Sequence, residues 1–170
     1  MIKLIKRVAA VALAAGIMAG VLANGGPAQA GGTVYIDDRM SNHNQELRAA
    51  SQFVDRFTGS KFVLGPCPVL TSKCIHVRNG VLNTGPDTAW AKTTNGLCTI
   101  TVDNRRPSWK PRVYTYWKRL MEHELAHCRG VTWHSGQANN IMWAPITYGS
   151  PQKVVPEYFK PNEQAVLARY

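Results

Sequence analysis

The sequence predicts an α+β fold: a small twisted mixed sheet with two long helices packed against it and a short C-terminal helix. Short runs rich in β-branched and aromatic residues alternate with segments whose apolar residues recur at helical spacing. Asn-Gly pairs and prolines separate these segments. No internal repeat or low-complexity tract divides the 170-residue chain. Strand and helix segments mixed in this way usually form packed layers around one core.

The strands are predicted from short runs of β-forming residues. They are TVYIDD at 33–38, KFVLG at 61–65, CIHVRNG at 74–80, TAWAKT at 88–93 and CTITVD at 98–103. The Asn-Gly pair at 95–96 lies between the last two runs and is read as a turn signal.

The helices are predicted from apolar spacing and from their end signals. The segment 44–58 has Leu47, Ala50, Val54 and Phe57 on one face and is followed by Gly59. A longer helical pattern runs from about 112 to 129. Pro161 is typical of a first helical position, so a short helix is expected to follow it to the end of the chain.

The first thirty residues are predicted to be a secretory signal peptide. They contain a basic head, an apolar stretch at 8–23 and a small-residue cleavage site ending at Ala30. A membrane anchor is the alternative, but a span needs about 20 apolar residues, more than this stretch provides. The mature protein, residues 31–170, is expected to be a secreted monomeric domain without a membrane span.

The four cysteines all follow the predicted leader, and export would place them where thiols are oxidised to disulfides. Three connectivities are possible. We favour Cys67–Cys74, which closes a short loop, and Cys98–Cys128, which ties a strand to the second helix. A cysteine-based metal site is the alternative, although the sequence contains no CxxC pair.

The chain is basic, with 20 Lys and Arg against 10 Asp and Glu and a formal net charge of +10. Removal of the predicted leader leaves a charge of about +7. This charge favours loose association with anionic cell-envelope polymers, or it simply keeps the surface solvated. No nucleic-acid-binding motif accompanies it, so no specific nucleic-acid partner is expected. The few scattered acidic residues give no basis for assigning calcium sites.

The segment HELAHCRGVTWH, residues 123–134, contains three of the five histidines. His123 and His127 are four residues apart, which places them on one helix face where they can hold one ion. Gly130 is suited to end the helix, and His134 is the nearest third ligand after the turn. Three nitrogen ligands leave a fourth zinc position for water, as in catalytic sites. Glu124 is then the expected general base. A helix that contains histidines by chance is the alternative.

This segment, followed by NNIMWAP, resembles the metzincin clan of zinc endopeptidases, particularly its small matrixin-like and minimal bacterial members. Their signature is HExxHxxGxxH followed by a methionine turn beneath the metal. His123, Glu124, His127 and Gly130 match it, and Met142 corresponds to the turn methionine. The resemblance implies a substrate pocket walled by the segment after the methionine, here Pro145 to Tyr148. It also implies that TAWAKTTNG forms an edge strand that binds extended substrate.

The third ligand departs from that signature. The signature position holds Trp133, and His134 follows one residue later. Either the turn after Gly130 contains one extra residue, or Trp133 replaces the ligand and His134 is incidental. We expect His134 to be the ligand. In a different zinc-peptidase clan a downstream glutamate, here Glu163, would be the third ligand.

These observations predict a secreted endopeptidase with one catalytic zinc ion and protein or peptide substrates. Two other functions stay open. One is a zinc-bearing binding module for anionic envelope polymers, which would not need Glu124 beside the ligands. The other is a peptidase of peptidoglycan cross-links, which changes only the substrate.

Overall fold

A computed structural model describes residues 32–69, 73–84, 88–105, 114–137, 140–143 and 158–169 of the chain. Over these ranges it is an α+β fold with a five-stranded mixed sheet and three helices, so the predicted fold class is confirmed. The predicted leader and the segment 144–157 lie outside the described residues.

The strands occur where the sequence predicted them: β1 at Val34–Asp38, β2 at Phe62–Leu64, β3 at Cys74–Asn79, β4 at Thr88–Thr94 and β5 at Leu97–Asp103. Their order in the sheet is β2-β1-β3-β5-β4. The first four of these strands are parallel, and β4 is antiparallel to β5 at one edge. Asn95 and Gly96 have φ values of 50° and 79°, as the tight turn between β4 and β5 requires.

The two larger helices are α1 at Asn44–Asp55 and α2 at Tyr114–Cys128. They contain 12 and 15 residues, close to the usual helix length in globular proteins. The short helix α3 spans Pro161–Leu167, with Pro161 in its first turn as predicted. Helices α1 and α2 pack against each other, and α2 also contacts β4 and β5.

One face of the sheet forms the core with the helices. Ile36 on β1, Val77 on β3 and Ile100 on β5 are fully buried, and each alternates with more accessible neighbours along its strand. This alternation follows from the two-residue repeat of a β-strand. The helices contribute Leu47, Val54, Trp117, Met121 and Leu125, all of which are buried. The opposite face of the sheet therefore carries the alternate residues, away from α1 and α2.

Both favoured disulfides are present, Cys67–Cys74 with a Cα–Cα distance of 5.8 Å and Cys98–Cys128 with 5.5 Å. The second bond joins β5 to the last residue of α2, next to His127. It therefore fixes the end of the histidine helix against the sheet. Within the described ranges, no helix has both the length and the apolar character needed to cross a membrane.

Candidate metal centre

Two of the candidate ligands lie one turn apart on α2. His123 and His127 have their Nε2 atoms 3.0 Å apart, with the two rings nearly perpendicular at 83°. Helical periodicity produces this arrangement, since residues four apart project from the same face. His123 is buried, whereas His127 is partly exposed. The pair therefore faces a cavity, whereas Trp117, Met121 and Leu125 of the same helix pack into the core.

The chain turns back after α2 through a glycine-dependent helix end. Gly130 has φ of 89°, its N–H donates to the His127 carbonyl at 3.0 Å, and the Val131 N–H donates to the Ala126 carbonyl at 3.1 Å. These two bonds form the Schellman arrangement, in which glycine tolerates the left-handed conformation that other residues avoid. The turn brings His134 back, with its Nε2 atom 3.1 Å from that of His127.

The three histidines form a group whose ligand atoms lie within 4.8 Å of one another. Zinc–nitrogen bonds of about 2.0–2.1 Å in a tetrahedron separate two ligand nitrogens by about 3.3–3.4 Å. The observed separations of 3.0 and 3.1 Å are close to that spacing. Of the two alternatives at the third position, His134 is the one whose ring nitrogen joins this group. That it binds a metal stays a prediction.

Hydrogen bonds to backbone carbonyls fix the tautomers of the two helix histidines. His123 Nδ1 lies 2.8 Å from the Ile141 carbonyl oxygen, and His127 Nδ1 lies 2.5 Å from that of Val131. A carbonyl oxygen can only accept a hydrogen bond, so each Nδ1 carries the proton and each neutral ring has an unprotonated Nε2. Two lone pairs then face each other at 3.0 Å. A cation between them removes the resulting repulsion, so the donor set fits a metal ion.

Burial also favours the neutral imidazoles that metal binding needs. Desolvation lowers the pKa of His123 from 6.5 to about 3, and it lowers the pKa of His127 as well. The Ile141 and Val131 carbonyls oppose these shifts because they stabilise a protonated ring, but desolvation is the larger effect. Both rings are therefore free of the competing proton at neutral pH.

Glu124 lies beside the helix histidines and contacts the edge strand. Its Oε2 atom accepts a 2.6 Å hydrogen bond from the Ala91 backbone N–H on β4. Only 5% of Glu124 is exposed, and this burial raises the pKa of its carboxyl from 4.5 to about 8. The Ala91 contact acts in the opposite direction and is smaller. This backbone donor could not be predicted from local sequence, because Ala91 lies 33 residues away on another element.

These groups line one cavity of about 630 Å³ between α2 and β4. Besides the three histidines and Glu124, its walls include small and aromatic residues of the edge strand, namely Ala89, Trp90 and Ala91. β4 has a strand neighbour on one side, β5, and so it is the sheet edge in the described structure. TAWAKTTNG is thus an edge strand, as the sequence order suggested.

A buried network supports the turn that carries Met142. The Asn140 side chain accepts from the Met142 N–H at 2.6 Å and donates to Glu163 Oε2 on α3 at 2.9 Å. Arg119 on α2 donates to the Asn140 carbonyl at 2.8 Å. Because the adjacent Ile141 carbonyl contacts His123, this network positions that ring. Asn140 was not predicted as a site residue, although its place two residues before Met142 is a recognisable signal for a side-chain-capped turn.

The remaining predicted residues have the following positions. Met142 is fully buried, and it follows Ile141, whose carbonyl oxygen accepts a hydrogen bond from His123 Nδ1. Trp133 is 36% exposed, and its indole N–H can only donate a hydrogen bond, so it has no lone pair to offer a metal ion. Glu163, the third ligand of the rival scheme, bonds Asn140 and the Lys160 N–H instead. Pro145 and Tyr148 lie outside the described residues, so their assignment to the pocket stays a prediction.

A scan of the chain against models of known protein families finds no match, and a search among curated proteins also finds none. The likeness to metzincins therefore depends on the motif residues alone. The function of the protein must therefore follow from the chemistry of the site itself.

Proposed function

We propose that the protein is a secreted zinc-dependent endopeptidase that hydrolyses peptide bonds. The observation that carries this proposal is the convergence of three imidazole nitrogens, 3.0 and 3.1 Å apart, in a cavity that also contains a buried carboxylate. A structural zinc site is usually closed by four protein ligands, whereas a catalytic site keeps a position open. Among the described residues, the group contains three ligands and opens into the cavity.

His123, His127 and His134 would hold the metal through their Nε2 atoms. Zinc in such a site supplies Lewis acidity, which makes water nucleophilic near neutral pH and polarises a carbonyl. Glu124 is the group that moves the proton, first accepting it from the attacking water and then delivering it to the leaving amine. Glu124 would act as the base in its ionised form, which a nearby positive charge would favour. The Ala91 N–H orients this carboxylate.

The edge strand is the proposed binding surface for substrate. In an antiparallel strand the N–H and C=O of one residue point to the same side. Since the Ala91 N–H points to Glu124 and away from β5, its carbonyl also faces the open edge. An extended peptide can pair with that edge and place a scissile bond beside Glu124. The small side chains of Ala89 and Ala91 leave room for it in the cavity.

Secretion is the second part of this proposal. The leader at 1–30 would be removed, which leaves the catalytic domain at 31–170. Two disulfides among the described residues favour an oxidising compartment. The basic mature chain would also associate loosely with anionic envelope polymers near its site of release.

The proposal is tested with purified mature protein and casein or a quenched fluorescent peptide library. Cleavage is expected, is expected to stop with a chelator, and is expected to return with zinc. His134→Ala is expected to lose both zinc and activity, whereas the neighbouring Trp133→Ala is expected to retain zinc. Equal zinc content in these two variants would contradict the ligand assignment.

The same assays separate the rival functions. A binding module would retain stoichiometric zinc and bind envelope polymers, yet it would cleave nothing, and Glu124→Ala would leave its binding unchanged. Release of cross-linked stem peptides from peptidoglycan, with no cleavage of casein or the peptide library, would instead identify a cell-wall peptidase. If the purified protein contains no stoichiometric zinc, both the endopeptidase proposal and the cell-wall peptidase alternative are refuted.

A further inference from the structure

A second group of potential ligands lies on the opposite face of the sheet. Cys74 and His76 alternate along β3 with the core residues Ile75 and Val77, so their side chains project away from α1 and α2. Cys67, from the segment after β2, is joined to Cys74 by a disulfide. Cys67, Cys74 and His76 have ligand atoms within 4.8 Å of one another. This group is separate from the three histidines, which line the cavity between α2 and β4.

A carboxylate orients the histidine of this group. His76 Nδ1 lies 3.1 Å from Asp37 Oδ2, and Asp37 is held in turn by Arg39 at 2.7–2.8 Å. The Arg39 guanidinium holds this carboxylate in place, and a carboxylate oxygen can accept the hydrogen bond of an Nδ1 proton. The His76 Nε2 lone pair then faces Cys74 Sγ at 3.8 Å. A histidine backed by a carboxylate is the usual arrangement around protein-bound zinc.

We propose that reduction of the Cys67–Cys74 disulfide creates a second metal site, with the two sulfur atoms and His76 Nε2 as ligands. Thiolate and imidazole together select a soft or borderline ion such as zinc. Zinc–sulfur and zinc–nitrogen bonds of about 2.3 and 2.0–2.1 Å in a tetrahedron separate the two ligand atoms by about 3.5–3.6 Å. The observed separation of 3.8 Å between Cys74 Sγ and His76 Nε2 is close to this value.

The surroundings leave space for the ion and for a fourth ligand. Cys67, Cys74, His76 and Asp37 line a cavity of about 300 Å³ together with Pro66 and Pro68. Cys74 is paired in register with Tyr35 in the parallel ladder of β1 and β3, so Cys74 does not depend on the disulfide for its position. His76 is paired in register with Asp37 across the same two strands. Sheet register, and not the disulfide, therefore holds two of the three ligands in place.

Reduction of the Cys67–Cys74 disulfide requires a two-electron donor, and a dithiol can supply both electrons. Two electrons and two protons pass from the dithiol to the protein disulfide, the Cys67–Cys74 bond breaks, and the dithiol becomes a cyclic disulfide. Metal binding then displaces the two thiol protons, since thiolate is the ligand form. Oxidation of the thiols releases the metal and restores the disulfide. The site would thus exist in the reduced protein only.

Cobalt(II) titration of the mature protein tests this inference, because thiolate ligands produce a near-ultraviolet charge-transfer band that histidine ligands alone do not. The protein is freed of metal and reduced with a phosphine, which removes the disulfide without adding a competing thiol. We expect the band in the reduced protein and none in the oxidised protein. His76→Ala is expected to weaken cobalt binding at this site by at least about 10-fold. Loss of a residue that only supports a ligand already costs about that much, and His76 is itself a proposed ligand.

Cysteine variants decide which thiols produce the band. Cys98→Ser/Cys128→Ser retains the proposed thiols and is expected to keep the band, whereas Cys67→Ser/Cys74→Ser is expected to lose it. If the first variant does not fold, the second answers the question in an otherwise unchanged chain. Persistence of the band without Cys67 and Cys74, or equal cobalt affinity after His76→Ala, would overturn the proposal. The histidine centre could fail as a zinc site without affecting this result.

Discussion

Glu124→Gln is expected to change stability and turnover in separable ways. Burial raises the pKa of Glu124 from 4.5 to about 8, so the folded, metal-free protein keeps a proton that the unfolded chain releases above pH 4.5. The free energy of unfolding therefore falls as the pH rises from 4.5 towards 8. Glutamine has no proton to release, and its side-chain oxygen can still accept the Ala91 N–H. The variant should lose this pH dependence.

The contribution of Glu124 to the free energy of unfolding is best measured between pH 6.5 and 8. Below 6.5 the lowered pKa of His123, about 3, makes stability rise with pH and so opposes the contribution of Glu124. Above 6.5 the histidines of the unfolded chain lose their remaining protons in the wild type and the variant alike, so the difference between the two slopes is due to Glu124. One proton contributes at most about 1.4 kcal/mol per pH unit, so the metal-free wild type should lose up to about 2 kcal/mol across the interval.

Urea unfolding in the presence of a chelator, at several pH values between 6.5 and 8, measures this slope for both proteins. Turnover is measured separately at saturating zinc, where loss of the general base should lower the rate about 100- to 10,000-fold. Identical slopes for wild type and Glu124→Gln would show that the buried carboxyl does not hold the proton. Unchanged turnover would show that Glu124 is not the base.

Three further predictions concern the support of the histidines. Asn140→Ala should lower zinc affinity about 10- to 100-fold in a chelator competition, because the turn that positions His123 loses its side-chain hydrogen bonds. The control variant Asn104→Ala removes an amide that bonds Asn42 instead, and it should leave zinc affinity unchanged. An equal loss of affinity in both variants would show a merely structural effect. Gly130→Ala should destabilise the protein by about 1–2 kcal/mol in urea unfolding, because φ is 89° there. Zinc content after dialysis should fall only well below pH 6, because the pKa of both His123 and His127 is lowered and protons compete for these imidazoles only in more acid solution. Equal zinc content at pH 7 and at about pH 3 would contradict ligation by histidine.

The hydrogen bonds of the two helix histidines explain why the site can be rigid before a metal arrives. Each Nδ1 is held by a backbone carbonyl, at Ile141 for His123 and at Val131 for His127. Those carbonyls are themselves fixed, the first by the Asn140 turn and the second by the glycine-ended helix. The cost of ordering the ligands is therefore met during folding, and little of it remains at metal binding.

Several features followed from the sequence because they depend on neighbours in the chain. Runs of β-branched and aromatic residues located the five strands of the described structure, and helical spacing placed His123 and His127 on one face of α2. Gly130 ended that helix as its lack of a side chain suggested. Such features are governed by backbone sterics and by side-chain periodicity, which act over a few residues.

Tertiary structure decided the contacts between residues far apart in the chain. The Ala91 N–H reaches Glu124 because β4 forms the edge beside α2, and His76 meets Asp37 because β1 and β3 pair in one register. The approach of His134 to His127 also depends on the path of the turn after Gly130. Register and chain path are set by packing of the whole core, so no local pattern in the sequence records them.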